Sequence, residues 1–180
     1  MAIKTPAMFN AATGFSFGKS QAGSGPPRIE HRIGVQAPAE VIWEIIADIP
    51  GWADWNPLYP KAQGNLRIGE VLTLTLALPG EAPQIIQPEI VDWVPNDQIL
   101  WKLSMLRGLV RSVRFIEIEI LGPTNCIISN GEIFQGLLGP SVAQSKRRAI
   151  RQGFTGMGEA LAARAEATWK AKGAEPTSAP

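Results

Sequence analysis

The chain has 180 residues, of which 45% are hydrophobic and 18% charged, with a formal net charge of +1. A chain of that length forms one domain large enough to bury its core without staples. The near-neutral balance excludes a nucleic-acid binder that works by neutralising phosphates, and the single cysteine excludes an internal disulfide, so nothing requires an oxidising compartment.

Residues 1–27 are rich in Gly, Ala, Ser and Pro, show no periodicity and end in Gly23-Ser24-Gly25-Pro26-Pro27, the composition of a flexible tail. They contain no continuous apolar stretch of the kind a secretory signal needs. No run in the chain approaches the ~20 apolar residues of a transmembrane helix, so the cytoplasm is the expected compartment. Gly14-Phe15-Ser16-Phe17-Gly18-Lys19-Ser20 resembles a phosphate-binding loop but has one residue too few between its glycines. It also lacks the strand before and the helix after that such a loop requires.

From Ile29 the chain alternates, with Ile29, His31, Ile33 and Val35 on one side and Glu30, Arg32, Gly34 and Gln36 on the other. This is a half-buried strand with an imidazole on its apolar face. Pro38 opens a short helix, Val41, Ile42, Ile45 and Ile46 follow at helical spacing, and Pro50-Gly51 stops it. Trp52 and Trp55, closed by Asn56-Pro57, form a second short segment that wedges aromatic area into the end of a sheet.

Residues 61–68 predict a short strand, with a turn at Arg67-Ile68-Gly69-Glu70. Val71 to Leu78 alternates, with Leu72, Leu74, Leu76 and Leu78 inward and Thr73 and Thr75 outward, before a turn at Pro79-Gly80. Residues 84–94, 97–104, 109–121 and 125–135 read as four more strands. Their turns fall at Pro95-Asn96-Asp97, Arg107-Gly108 and Gly122-Pro123-Thr124-Asn125. Strands joined by short turns form an antiparallel meander. Within 109–121, Val113 and Phe115 share one parity and Ile116, Ile118 and Ile120 the other. Either a bulge lies near Phe115-Ile116, or Ser112 and Arg114 face inward with the isoleucines and bring a charge with them.

After Gly139-Pro140, one helical face carries Val142, Lys146, Ile150, Phe154, Met157, Leu161 and Ala165, running towards Lys170. Gly153, Gly156 and Gly158 interrupt it, each costing about 1 kcal/mol relative to Ala. They answer either to close contact with the sheet or to room for a ligand. Residues 171–180 read as a frayed tail. One antiparallel sheet and one long helix make an α+β domain over residues 28–170. A strongly curved sheet wrapped round a helix tends to leave an apolar concavity suited to small molecules.

Together these segments carry a family resemblance. Ala37-Pro38, Val41-Ile42-Trp43, Asp48 and Trp52-Ala53-Asp54-Trp55-Asn56-Pro57 are followed by Pro88-Glu89-Ile90, Trp93, Pro95 and Leu100-Trp101. Arg114-Phe115, Glu132-Ile133-Phe134-Gln135-Gly136-Leu137-Leu138, Arg151-Gln152-Gly153-Phe154, Met157 and Glu159-Ala160-Leu161 complete the series. Over roughly residues 29–170 this order and spacing resembles the SRPBCC superfamily, the START-like, pollen-allergen-like helix-grip fold, in its polyketide cyclase/dehydrase-type branch. The resemblance implies a curved antiparallel sheet of about six or seven strands around a long C-terminal helix, with two short helices after the first strand. It also implies that a hydrophobic cavity between sheet and helix is the functional site. The chain departs from the family pattern at Val113 and Asn130, where relatives often carry histidines, and at Gly158, where they often carry asparagine. Each change removes a polar group that could do chemistry and moves the expectation from catalysis towards binding.

His31 is the only histidine. On the inner strand face it could serve as acid or base near neutral pH, or as a hydrogen-bonded structural residue. Cys126 has no electropositive neighbour in sequence and reads as a small core hydrophobe. One His and one Cys far apart do not make a zinc site, and neither metal nor cofactor is expected. Asn130 and Glu132 alternate with Phe134 and share its inner face. A carboxylate buried there must be paired, hydrogen-bonded or protonated, either as a proton-transfer group or as the partner of Arg114 or Arg151. The six tryptophans read chiefly as core, with one or two at the cavity mouth. Lys146-Arg147-Arg148 with Arg151 reads as a solvated face, attraction to anionic lipid being the lesser alternative.

The expectation is a domain that binds a small hydrophobic molecule (lipid-, polyketide- or aromatic-like) as a monomer or homodimer, without nucleic acid. Its lining would be His31, Trp55, Leu74, Trp101, Asn130, Glu132, Phe134, Phe154 and Met157. One alternative is a metal-free cyclase/dehydratase-type lyase with Glu132 or His31 as acid/base. Another is a protein-interaction module that uses the sheet or helix surface, as the resemblance to chaperone-activating relatives implies.

Overall fold

The computed structural model describes residues 9–10, 15–16 and 25–174. Most of the tail expected at 1–27, most of the Gly14–Ser20 motif and residues 175–180 lie outside them. Of the N-terminal part, β1 (Phe9–Asn10) pairs antiparallel with β2 (Phe15–Ser16).

The five-stranded sheet begins in sequence with β3 (Arg28–Val35). Helix α1 (Ala39–Ala47) follows, its first turn closed by the Pro38 carbonyl, which accepts from the N–H groups of Val41 and Ile42. A 3-10 turn over Pro50–Asp54 comes next, with its proline at the start, where a missing N–H does no harm. The strands are then β4 (Lys61–Gln63), β5 (Thr73–Leu76), β6 (Gln84–Ile86), β7 (Glu89–Val94), β8 (Gln98–Met105), β9 (Val110–Gly122) and β10 (Asn125–Gln135). Helix α2 (Gly139–Ala174) ends the described chain, four residues beyond Lys170. Among the described residues no helix is long and apolar enough to cross a membrane.

All the strand pairings are antiparallel, in a five-stranded order β3-β10-β9-β8-β7 and a three-stranded order β4-β5-β6. The two sheets are stitched together by backbone bonds from Gly69 N to Ile90 O and Leu72 N to Pro88 O, both 2.8 Å. The single strand expected at 84–94 is split into β6 and β7 at Gln87-Pro88, because Pro88 has no N–H to give a ladder. With β6 and β7 taken as one interrupted strand, the curved sheet has seven strands.

The parity question in β9 is settled by its register. No bulge interrupts its pairing with β8 or with β10 between Arg111 and Ile118. Ser112 and Arg114 therefore face α2 along with Ile116 and Ile118, while Val113 and Phe115 join Leu100 and Ile133 in a separate cluster on the other face.

Helix α2 lies along β3 and β10 and touches α1. Ile150, Phe154, Met157, Leu161 and Ala165 are its buried stripe. Two of its glycines answer to close approach. A Cβ at Gly153 would lie 2.8 Å from Leu58 Cδ1, and one at Gly158 would lie 2.6 Å from His31 Nδ1. Gly156 meets only Pro57 Cγ, at 3.7 Å. Trp43 of α1 stacks on Trp93 of β7, centroids 6.0 Å apart, and an ion pair from Lys146 to Glu81 ties α2 to the β5–β6 loop.

Candidate functional site

The tryptophan-rich turn builds one wall of the interior. Trp52 is fully buried and its indole N–H donates to the Ile46 carbonyl at 3.0 Å. Asn56 then accepts from the N–H groups of Leu58 and Tyr59 at 3.0 and 3.1 Å. This side-chain turn sends the chain inward. Tyr59, the only tyrosine, consequently stacks on Trp52 (5.6 Å between centroids, 30°) and meets Trp101 edge-on at 6.4 Å.

The Tyr59 hydroxyl accepts a hydrogen bond from Arg114 Nη1. Arg114 Nε lies 3.0 Å from Glu132 Oε2, with the side chains 5% and 1% exposed. The two are close enough to pair as ions, though not aligned for a hydrogen bond. The Phe154 ring centroid lies 6.0 Å from the guanidinium carbon. Burial pushes the Arg114 guanidinium down, but the Glu132 carboxylate and Tyr59 outweigh it, and its pKa lies above the ordinary arginine value. Burial lifts the Tyr59 phenol; the Arg114 cation opposes the lift, Glu132 adds to it, and the net shift is upward.

A second polar group sits where sheet and helix come closest. Asn130 Nδ2 donates to the Phe154 carbonyl at 3.0 Å and fastens β10 to α2. His31, its cross-strand partner on β3, lies against Gly158. Buried atoms without a hydrogen-bond partner gather in this interior: His31 Nδ1, Asn130 Oδ1, Trp101 Nε1, Ser112 Oγ and Glu132 Oε1.

Of the residues expected at the site, Leu74, Trp101, Asn130, Glu132, Phe134, Phe154 and Met157 are buried between sheet and α2. His31 is half-buried in the same ladder. Trp55 is half-buried just after the 3-10 turn, 6.4 Å from Trp52 between centroids. Trp101, Glu132 and Phe154 surround Arg114 and Tyr59. No hydrogen bond joins Glu132 to His31 among the described residues, so the two acid/base candidates do not form a dyad. Sequence reading missed Tyr59 and Asn56 as site builders. The available signal was a lone tyrosine just after Asn56-Pro57. Burial, then the nearby Glu40, raises the Cys126 thiol, which leaves it a core side chain. Among the described residues no group of three His, Cys, Asp or Glu side chains is placed to hold a metal. A cleft of about 380 Å³ opens beside the interior and reaches Ser112, lined also by Val91, Lys102, Leu103, Arg111 and Gln135 among others. None of the nine expected residues lines it.

Residues 26–166 match the family described as polyketide cyclase / dehydrase and lipid transport. No curated protein sequence matches the chain. Among solved structures, the Zhui aromatase/cyclase from Streptomyces sp. R1128 aligns with a TM-score of 0.65 at 21% identity, covering 82% of this chain and 98% of that one. A point mutant of norcoclaurine synthase from Thalictrum flavum, in complex with a transition state analogue, aligns at 0.62 and 18% identity, covering 82% and 99%. A START superfamily protein from Mycobacterium smegmatis aligns at 0.53 and 18% identity, covering 74% and 98%. At these identities the structural likeness shows a shared helix-grip fold. With the family match spanning residues 26–166, the chain belongs to the polyketide cyclase/dehydrase and lipid transport family.

Proposed function

We propose that this protein binds a small, largely apolar molecule bearing oxygen functions, held between the sheet and α2. The observation that carries this reading is the set of buried polar atoms without partners, Trp101 Nε1, Ser112 Oγ, Glu132 Oε1, His31 Nδ1 and Asn130 Oδ1, enclosed by aromatic and aliphatic side chains. Each unmade hydrogen bond of this kind costs a fold about 1–3 kcal/mol. Apolar walls with a few oriented donors and acceptors are what small-molecule sites are made of. Ser112 offers a donor to a carbonyl or phenol, and the free Glu132 oxygen accepts from a hydroxyl. The names of the relatives, an aromatase/cyclase and a norcoclaurine synthase, favour an aromatic or polyketide-like guest.

Native mass spectrometry of protein purified from its own host tests the reading, with a co-purifying small apolar molecule as the expected result. Once such a molecule is in hand, Ser112→Ala should lower its affinity about tenfold, one lost hydrogen bond, while leaving the melting temperature unchanged or raised. Protein that carries no guest and binds no aromatic or lipid-like probe would sink the proposal. The cyclase/dehydratase reading draws its acid or base from the same cluster. It would gain ground if a folded Glu132→Gln protein lost turnover but kept its guest.

A further inference from the structure

Four leucines stand in solvent at one end of the sheet. Leu106 and Leu109, in the turn between β8 and β9, are 61% and 44% exposed; Leu137 and Leu138, between β10 and α2, are 81% and 37% exposed. The two turns form one surface, because the Leu138 N–H donates to the Leu109 carbonyl at 3.0 Å. Gly136, at φ 86, packs so close that a Cβ would lie 2.5 Å from that carbonyl. Single exposed leucines are ordinary, but four on two turns fastened together mark an interaction surface. The backbone points the same way. Leu106, Arg107 and Gly108 have φ of 51, 56 and 87, three successive left-handed residues, a conformation that non-glycine residues avoid. Such outliers cluster at functional positions.

The segments that form this tip carry basic side chains and no acidic ones. The stretches 98–116 and 133–158 contain no Asp or Glu, yet hold Lys102, Arg107, Arg111, Arg114, Lys146, Arg147, Arg148 and Arg151. Lys102, Arg114 and Lys146 pair with Glu89, Glu132 and Glu81. Arg107, Arg111, Arg147, Arg148 and Arg151 are exposed and unpaired among the described residues. Arg147 and Arg148 lie about 12 Å along α2 from its start. A twofold contact between two copies through this tip would set these arginines against their own images. The tip also has no Trp or Tyr of the kind that anchors protein interfaces.

We propose that this leucine tip docks on an anionic lipid surface, the leucines entering the headgroup boundary and the arginines meeting lipid phosphates. This goes beyond the interior site and does not depend on its being a binding site. Co-sedimentation of the full chain with vesicles tests it, using phosphatidylcholine alone and phosphatidylcholine mixed with phosphatidylglycerol. Binding is expected only to the mixed vesicles, and it should weaken with salt. It should fall about tenfold in Leu106→Ser/Leu137→Ser and again in Arg107→Glu/Arg147→Glu, both with unchanged circular dichroism. Because Arg147 sits on the solvent side of α2, Arg147→Glu alone keeps the test open should a turn variant misfold. The proposal falls if neither vesicle is bound, or if binding ignores the leucines. A concentration-dependent dimer abolished by the leucine substitutions would overturn it in favour of self-association.

Discussion

Asn56 is where a packing motif becomes a site. Its side chain holds the two N–H groups that place Tyr59 beneath Trp52 and within reach of Arg114. Tyr59 is also the only tyrosine, so its titration can be followed without interference. Burial first, with Glu132 adding and Arg114 opposing, lifts its pKa above the ordinary 10.0. The corresponding stability is fully present below pH 10.0 and is lost as pH rises through the lifted native value. Near-ultraviolet phenolate absorbance should therefore stay low at pH 10.0 and appear only with alkaline unfolding. A phenolate half-formed at or below that pH in the folded protein would put Tyr59 in water. At this scale the sequence was partly legible. Asn130 and Glu132 follow from strand parity, and Arg114 was confined to two alternatives that register alone decides. Tyr59 sits in an aperiodic segment, and nothing local reveals a partner on β9.

Helix α2 shows how an element can favour contact over its own propensity. Ala is better than Gly in a helix by about 1 kcal/mol, and Gly156→Ala should gain up to that much, since its Cβ would meet only Pro57 Cγ at 3.7 Å. Gly158→Ala should instead destabilise. Its Cβ would lie 2.6 Å from His31 Nδ1 and 3.2 Å from Asn130 Oδ1, and overpacking of that kind costs about 1–3 kcal/mol. Urea denaturation of the two variants measures the contrast; equal gains would mean that helix and sheet stand further apart. The periodicity of α2 and the need to explain its glycines were readable in the sequence. Which glycine touches what was not, because the partners lie on strands distant in the chain.

For the molecule as a whole, the order of strands and the closing helix follow from alternation and turn chemistry, because those signals are local. The interior chemistry does not, because Tyr59, Arg114 and Glu132 come from three separate segments. We propose that residues 28–170 unfold as one unit. The tryptophans report on every layer: Trp52 and Trp101 at the site, Trp43 and Trp93 between α1 and β7, and Trp169 of α2 against the core. Their fluorescence and the far-ultraviolet circular dichroism should change together in urea, as a two-state transition requires; separated midpoints would divide the domain. The packing of α2 onto β3 also bears on how the protein is made. The strand β3 receives its cover from α2, which is made about a hundred residues later, so the interior cannot close until α2 has emerged. Until then the inner faces of β3 and β10, with Ile29, Ile128 and Phe134, stand open on the nascent chain. A chain that has made its sheet but not yet α2 is therefore at its most aggregation-prone, and that helix is as much a condition of safe delivery as of stability.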